Sequence, residues 1–227
     1  EELWAELKVM TDHFTDELFA EAVEGVKDVI FPVSRLVVDP ERFEDNADES
    51  MASVGMGVIY DKTSAGQLLR REISSDERER LIEAYYLQHH VQLAEAVRKA
   101  VHFGEQCLVL DCHSFPSKAL PYEQDKSMNR LDICIGTDAF HTPDWIADRA
   151  ARTFQDAGFS VAFNEPFAGA LVPSVCYQSD DRVLALMIEL RRDLYMDESA
   201  CEKAADFLEF RHTLRSCIRK IARGQDG

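Results

Sequence analysis

An α/β fold with a largely parallel sheet is predicted, and three observations predict it. Short continuous apolar runs recur at 107–110, 133–135 and 183–188, as strands covered on both faces require. Longer stretches with helical periodicity and helix-start signals alternate with them. The composition, 46% hydrophobic and 30% charged over 227 residues, is that of an ordinary globular chain with a sizeable core. No repeat or domain boundary is visible, so one domain over 1–227 is expected.

Residues 1–24 read as a helix, with Leu3, Leu7, Met10, Phe14, Leu18 and Val23 recurring at helical steps among carboxylates. Residues 28–38 are apolar and β-branched, broken by Pro32, and read as a bent strand. Residues 39–73 are irregular, a length that usually serves function or mobility. Ser74-x-x-Glu77 is a capping box that opens a helix running to Gly104. The strands at 107–110 and 133–135 follow. Thr142-Pro143 opens a helix, with Thr as cap and Pro in the first turn, and Gly158 closes it. Strands at 159–163 and 183–190 come next. Ser199-x-x-Glu202 opens a last helix to about Arg223.

The formal net charge is −17, a surface that repels nucleic-acid phosphates and anionic membranes, so neither is expected as a partner. A small anionic substrate is still allowed, because a few local arginines can hold a carboxylate. The six cysteines form no CxxC pair, which argues against a zinc ribbon. No signal peptide or long apolar run is seen, and a cytoplasmic location is expected.

Ligands of open parallel sheets gather at the carboxyl ends of strands. Asp111-Cys112-His113-Ser114 and Glu189 both stand at such ends. An imidazole that holds a divalent ion, beside a carboxylate that takes a proton from water, suits metal-assisted hydrolysis. The bland alternative, a hydrogen-bonded histidine and a Glu189 paired with Arg191 or Arg192, carries roughly even weight on spacing alone. The pair His102/Glu105 belongs to the opposite edge, about 20 Å away along a strand of six residues. Asp12 and Asp16 lie one helical turn apart and could be ligands or a solvated acidic face. Of His89 and His90, one is expected to be a structural histidine. Arg35 and Arg42 flank Asp39-Pro40 and could clamp a carboxylate or pair with Glu41, Glu44 or Asp45. Ser114 lacks the elbow of a serine hydrolase.

Six runs occur in the order of one family, the N-formylglutamate amidohydrolases. They are Thr11-Asp12-x-x-x-Asp16-x-Leu18-Phe19, then 34–43 around Asp39-Pro40-Glu41-Arg42, then Gly55-Met56-Gly57-Val58-Ile59-Tyr60. The others are Asp111-Cys112-His113-Ser114-Phe115, Asp132-Ile133-Cys134-Ile135-Gly136-Thr137, and 188–196 from Ile188-Glu189 to Met196. The chain resembles this family over roughly residues 10 to 198. The resemblance extends to the wider zinc carboxypeptidase and aspartoacylase group and implies a mixed, mostly parallel sheet flanked by helices.

The resemblance also implies a zinc ion (another divalent ion is possible) and a small N-acyl amino acid as substrate, N-formylglutamate first. It makes His113 a metal ligand, with Asp12 the carboxylate ligand and Asp16 the second choice. It makes Glu189 the catalytic carboxylate. Arg42 would hold the substrate carboxylate, with Arg35 assisting and Arg191 as a third candidate. Two departures stand out. The family's Asp-Leu-Asn-Arg reads Asp39-Pro40-Glu41-Arg42 here, which replaces an amide donor with a negative charge. The family's Pro-His-Ser-Gly-like run, whose histidine resembles a further ligand, lies outside these residues, so a ligand from upstream is expected. A peptidase or cell-wall amidase on the same scaffold, or a non-catalytic binding protein, are the rivals. The sequence says nothing firm about oligomeric state.

Overall fold

A computed structural model of the chain describes residues 2–20, 25–123, 126 and 129–223. The chain packs as two units. One comprises Glu1–Thr11, Val29–Ala96 and Ala119–Lys126; the other comprises Asp12–Asp28, Val97–Lys118 and Ser127–Gly227.

The second unit holds the sheet, with strands β1 (Cys107–Phe115), β2 (Ile133–Gly136), β3 (Val161–Phe163) and β4 (Val183–Arg191) in the order β1-β4-β2-β3. β1 pairs with β4 and β2 with β3 in parallel, while β2 meets β4 antiparallel. The sheet is therefore mixed and mostly parallel. β4 is central, and its first eight residues are all buried, which is why Val183-Leu184-Ala185-Leu186-Met187-Ile188 reads as unbroken apolar sequence. Both β1 and β4 run past their apolar stretches and incorporate His113 and Glu189 within the strands.

Helices cover the sheet by their apolar stripes. In α5 (Asp144–Asp156), Ile146, Ala147, Ala150, Ala151 and Phe154 are buried. In α6 (Phe207–Arg223), the buried residues are Phe207, Phe210, Leu214, Cys217 and Ile221, spaced alternately by three and four. These side chains join Ile133, Ile135, Leu186, Ile188 and Leu190 in one core. Among the described residues, Gly136 is the strand position where a side chain has no room. A Cβ there would lie 2.3 Å from the Gly169 carbonyl oxygen and 2.4 Å from Met187 Cε.

The first unit is built around α1 (Glu2–Met10), a 3-10 turn (Ser50–Val54) and a long helical run up to Ala96, the rest of which belongs to the second unit. That run begins with α3 (Ser75–Leu81), passes through a π-helical turn (Ile82–Tyr86) and continues as α4 (Leu87–Gly104). Ser74 caps it by accepting the Glu77 N–H, as the capping box requires. Met10, Leu36, Met56 and Tyr60 form one apolar cluster; Val38, Val58, Ile59 and Ile82 form another.

Several expected elements differ. The first helix breaks after Met10 and resumes as α2 (Thr15–Phe19), with Phe14 in the left-handed region at φ 61°; residues 21–24 lie outside the described set. No strand forms over 28–38, because Leu36 and Val38 are buried by loop packing, not by sheet pairing. At α5 the cap position is Pro143, and the Thr142 hydroxyl donates to the Ala185 carbonyl. The last helix starts at Phe207. Asp197 captures the Ser199 hydroxyl and the Ser199 and Ala200 amides, and residues 196–203 form a small antiparallel ladder, β5 (Met196–Asp197) with β6 (Glu202–Lys203). No helix among the described residues is long and apolar enough to cross a membrane.

Candidate functional site

Alternation along a strand puts residues two apart on one face. Asp111 and His113 stand in that relation on β1, and their side chains meet, His113 Nε2 lying 2.8 Å from Asp111 Oδ1. Register does the rest. His113 is the partner of Glu189 on β4, and Glu189 is the partner of Cys134 on β2. The buried carboxylate of Glu189 is thus carried at the level of the histidine by the central strand.

Asp12 reaches the same place from the break between α1 and α2. Phe14 there packs edge-on against Phe207, and the Tyr195 hydroxyl donates to the His13 carbonyl at 3.0 Å. Asp12 Oδ1 accepts from the Ser114 amide at 3.1 Å, from the Ser114 hydroxyl at 3.2 Å and from Arg192 at 3.4 Å. Asp12 Oδ2 faces His113 Nδ1 at 3.4 Å. Both ring nitrogens of His113 therefore look at carboxylates.

A neutral imidazole donates at one nitrogen and accepts at the other. Burial alone would raise the Asp111 pKa, but His113 and the Leu171 amide outweigh it and hold the group below the ordinary carboxylate value. The short contact therefore belongs to Nε2–H donating to a carboxylate. In that tautomer of the neutral ring, Nδ1 faces Asp12 Oδ2 with its lone pair. A proton or a divalent cation resolves that opposition. Zinc bonds of about 2.0–2.1 Å to nitrogen and oxygen in tetrahedral geometry give a ligand-to-ligand edge of about 3.3 Å. The observed 3.4 Å gap between Nδ1 and Oδ2 fits a shared ion.

Of the other sequence candidates here, Asp16 is exposed on the first turn of α2. The Arg191 guanidinium pairs with Asp132 at 3.0 Å and Asp193 at 2.6 Å and donates to the Arg130 carbonyl. His102 lies in the last turn of α4, ahead of the start of β1, and so at the far end of that strand from His113. Asp111 and Arg192 were missed as individuals. For Asp111 the signal was its i, i+2 relation to His113; for Arg192 nothing local marked it.

The first unit carries a second constellation, centred on Asp39, which has no solvent exposure. The Tyr60 hydroxyl donates to its Oδ2 at 2.5 Å and the Glu41 amide to its Oδ1 at 3.0 Å. Arg42 Nε stands 3.6 Å and Arg35 Nη1 4.0 Å from Oδ2. Burial works to raise the Asp39 pKa, but the two arginines, with the Tyr60 and Glu41 donors, bring it below the usual value. Arg35 and Arg42 thus share the buried Asp39 as an ion partner, and Glu49 adds a further negative charge near Arg42. The turn is braced from the long helix. The Tyr86 hydroxyl donates to the Arg42 carbonyl at 3.0 Å, and His90 Nε2 lies 3.0 Å from the Pro40 carbonyl. Burial lowers the His90 pKa, so its neutral ring donates to that carbonyl as a structural histidine.

The six cysteines are free, and burial pushes the Cys107 and Cys134 thiols up to about 11, which leaves them as small apolar side chains.

The chain is 29% identical over 187 residues to the N-formylglutamate deformylase of Pseudomonas aeruginosa, an alignment covering 80% of this chain and 68% of that protein. Its fold matches the crystal structure of N-formylglutamate amidohydrolase from Ralstonia eutropha JMP134 with a TM-score of 0.80 and 26% identity, covering 96% of this chain and 84% of that one. The gene product Atu2144 from Agrobacterium tumefaciens shares the fold, at a TM-score of 0.57 and 21% identity over 83% of this chain and 69% of its own. The family model for N-formylglutamate amidohydrolase matches residues 2–196, and the chain belongs to that amidohydrolase family.

Proposed function

We propose that the protein hydrolyses the amide bond of an N-acyl amino acid, with N-formylglutamate, giving formate and glutamate, as the leading substrate. The observation that carries this reading is the opposition of His113 Nδ1 and Asp12 Oδ2 across 3.4 Å, with Glu189 in register beside His113. The family supplies the reaction class.

His113 and Asp12 are assigned to hold the ion, taken to be zinc, with Asp16 kept as the alternative carboxylate. Zinc in such a site supplies a Lewis acid that polarises a carbonyl and lowers the pKa of bound water toward about 7. Asp111 accepts Nε2–H and thereby keeps the His113 lone pair on Nδ1. Glu189 is the general base: its carboxylate takes a proton from the attacking water and returns it to the leaving amine. Water adds to the formyl carbon, the C–N bond breaks, and formate and the free amino acid leave. Arg42, with Arg35 assisting, is assigned to the substrate carboxylate, with Arg191 as the weaker candidate given its ion pairs with Asp132 and Asp193.

The test is formate release from N-formylglutamate, and from a panel of other N-acyl amino acids and short peptides, by the zinc-loaded protein and by its Glu189→Gln variant. The wild type should release formate. The variant should lose turnover by orders of magnitude while keeping its zinc and its circular dichroism spectrum. Near-normal turnover in the variant would sink the role given to Glu189; cleavage of peptides alone would sink the substrate.

A further inference from the structure

Arg192 stands on the 3-10 turn Arg192–Leu194 that follows β4, and it is only 5% exposed. Burying a guanidinium is costly unless its donors are met. Its Nε donates to the Ser114 hydroxyl at 3.1 Å, and Nη2 donates to the Ser114 carbonyl at 3.1 Å and to Asp12 Oδ1 at 3.4 Å. The Ser114 hydroxyl in turn donates to Asp12 Oδ1 at 3.2 Å, and the Ser114 amide donates to the same oxygen at 3.1 Å. One carboxylate oxygen thus receives three donors, while the other is turned toward His113.

The geometry points to Arg192 as a positioning residue that acts through Asp12. A carboxylate is symmetric, and rotation about its terminal bond exchanges the two oxygens. The donors from Arg192 and Ser114 break that symmetry. They saturate Oδ1, pin the plane of the group and leave Oδ2 presented to His113 Nδ1. A planar guanidinium fork reaches the Ser114 hydroxyl, the Ser114 carbonyl and Asp12 at once, which a lysine ammonium cannot do in the same geometry. The role assigned to Arg192 is indirect. Its effect is on how well Asp12 and His113 are arranged for a cation. The inference rests on the metal-centre reading given above.

The experiment is a double-mutant cycle on zinc affinity, measured on the whole chain by competition with a chromophoric chelator, with the thermal midpoint of each metal-free variant recorded alongside. Arg192→Lys retains the charge and is expected to weaken zinc binding by about 10- to 100-fold, the usual effect of disturbing a group that orients a ligand. Asp12→Ala weakens it further. In the Asp12→Ala background, Arg192→Lys should change affinity by less than about twofold, because the group it acts through is gone. A full second loss in that background overturns the inference, as does wild-type affinity in Arg192→Lys itself. If Arg192→Lys fails to fold, Ser114→Ala takes its place in the same cycle, with the same two outcomes deciding. A wild-type protein that binds no zinc sinks the metal-centre reading and this inference together. A wild type that binds zinc beside an indifferent Arg192→Lys sinks this inference alone.

Discussion

Replacing Asp39 by Asn removes one charge from a site with no solvent exposure and leaves Arg35 and Arg42 without their shared counter-ion. At an effective dielectric of about 20, separations of 3.6 and 4.0 Å correspond to attractions of about 4.6 and 4.2 kcal/mol. Much of that is offset by the cost of burying the carboxylate. Removing one partner of such a buried cluster nets a loss of about 3–5 kcal/mol. With a urea slope of about 3 kcal/mol per M for a chain of this size, the midpoint should fall by about 1–1.7 M at pH 7, read by circular dichroism. The sign with pH follows from the depressed pKa of Asp39. Its stabilisation is fully present above the unfolded value of about 3.9 and is lost as pH falls through the lower folded value. The gap between wild type and Asp39→Asn should therefore be constant near neutrality and close only below about pH 4. A variant within 1 kcal/mol of wild type at pH 7, or a gap that closes above pH 5, would refute this account.

His113→Ala should lower zinc content in elemental analysis to well under one equivalent, and unchanged zinc would remove His113 from the ligand set. Arg42→Lys keeps the charge but loses the fork, and is expected to raise KM for N-formylglutamate by about tenfold with a smaller effect on kcat; an unchanged KM assigns the substrate carboxylate elsewhere. Gly136→Ala forces a Cβ against backbone and Met187, and should cost at least about 2 kcal/mol by urea titration. Leu214→Ala, deep in the α6 stripe, should cost about 2–5 kcal/mol, and a loss under 1 kcal/mol would show that α6 contributes little to that core.

The sheet was legible because β4 is covered on both faces and β1, β2 and β4 each begin with apolar runs; burial and sequence carry the same information there. The order of the strands was not, since pairing is a long-range choice that no local pattern encodes. Ser199-x-x-Glu202 misled because an Asp two residues upstream outcompeted the helix for the same serine. The run at 28–38 misled because apolar residues can be buried by loops as well as by ladders. Of the residues proposed for the site, His113 and Glu189 were singled out by their place after apolar runs, and the strands prove to extend through both. The weight given to Asp12 came from the family resemblance, and its approach to His113 depends on a left-handed Phe14 that ordinary periodicity hides. Arg192 was unreadable because its partners are Ser114 and Asp12, 78 and 180 residues away.

Those long separations have a consequence for the life of the protein. His113 and Asp12 lie 101 residues apart and are joined only when the segment from Asp12 through α2 has packed against β1. An ion gripped by them finds no such pair in the unfolded chain, so by linkage its binding energy is added to the folded state, about 2.7 kcal/mol at a free concentration 100 times the dissociation constant. If the proposed ion is bound there, its supply sets the fraction of molecules open to proteolysis, and chelation should shorten the protein's half-life.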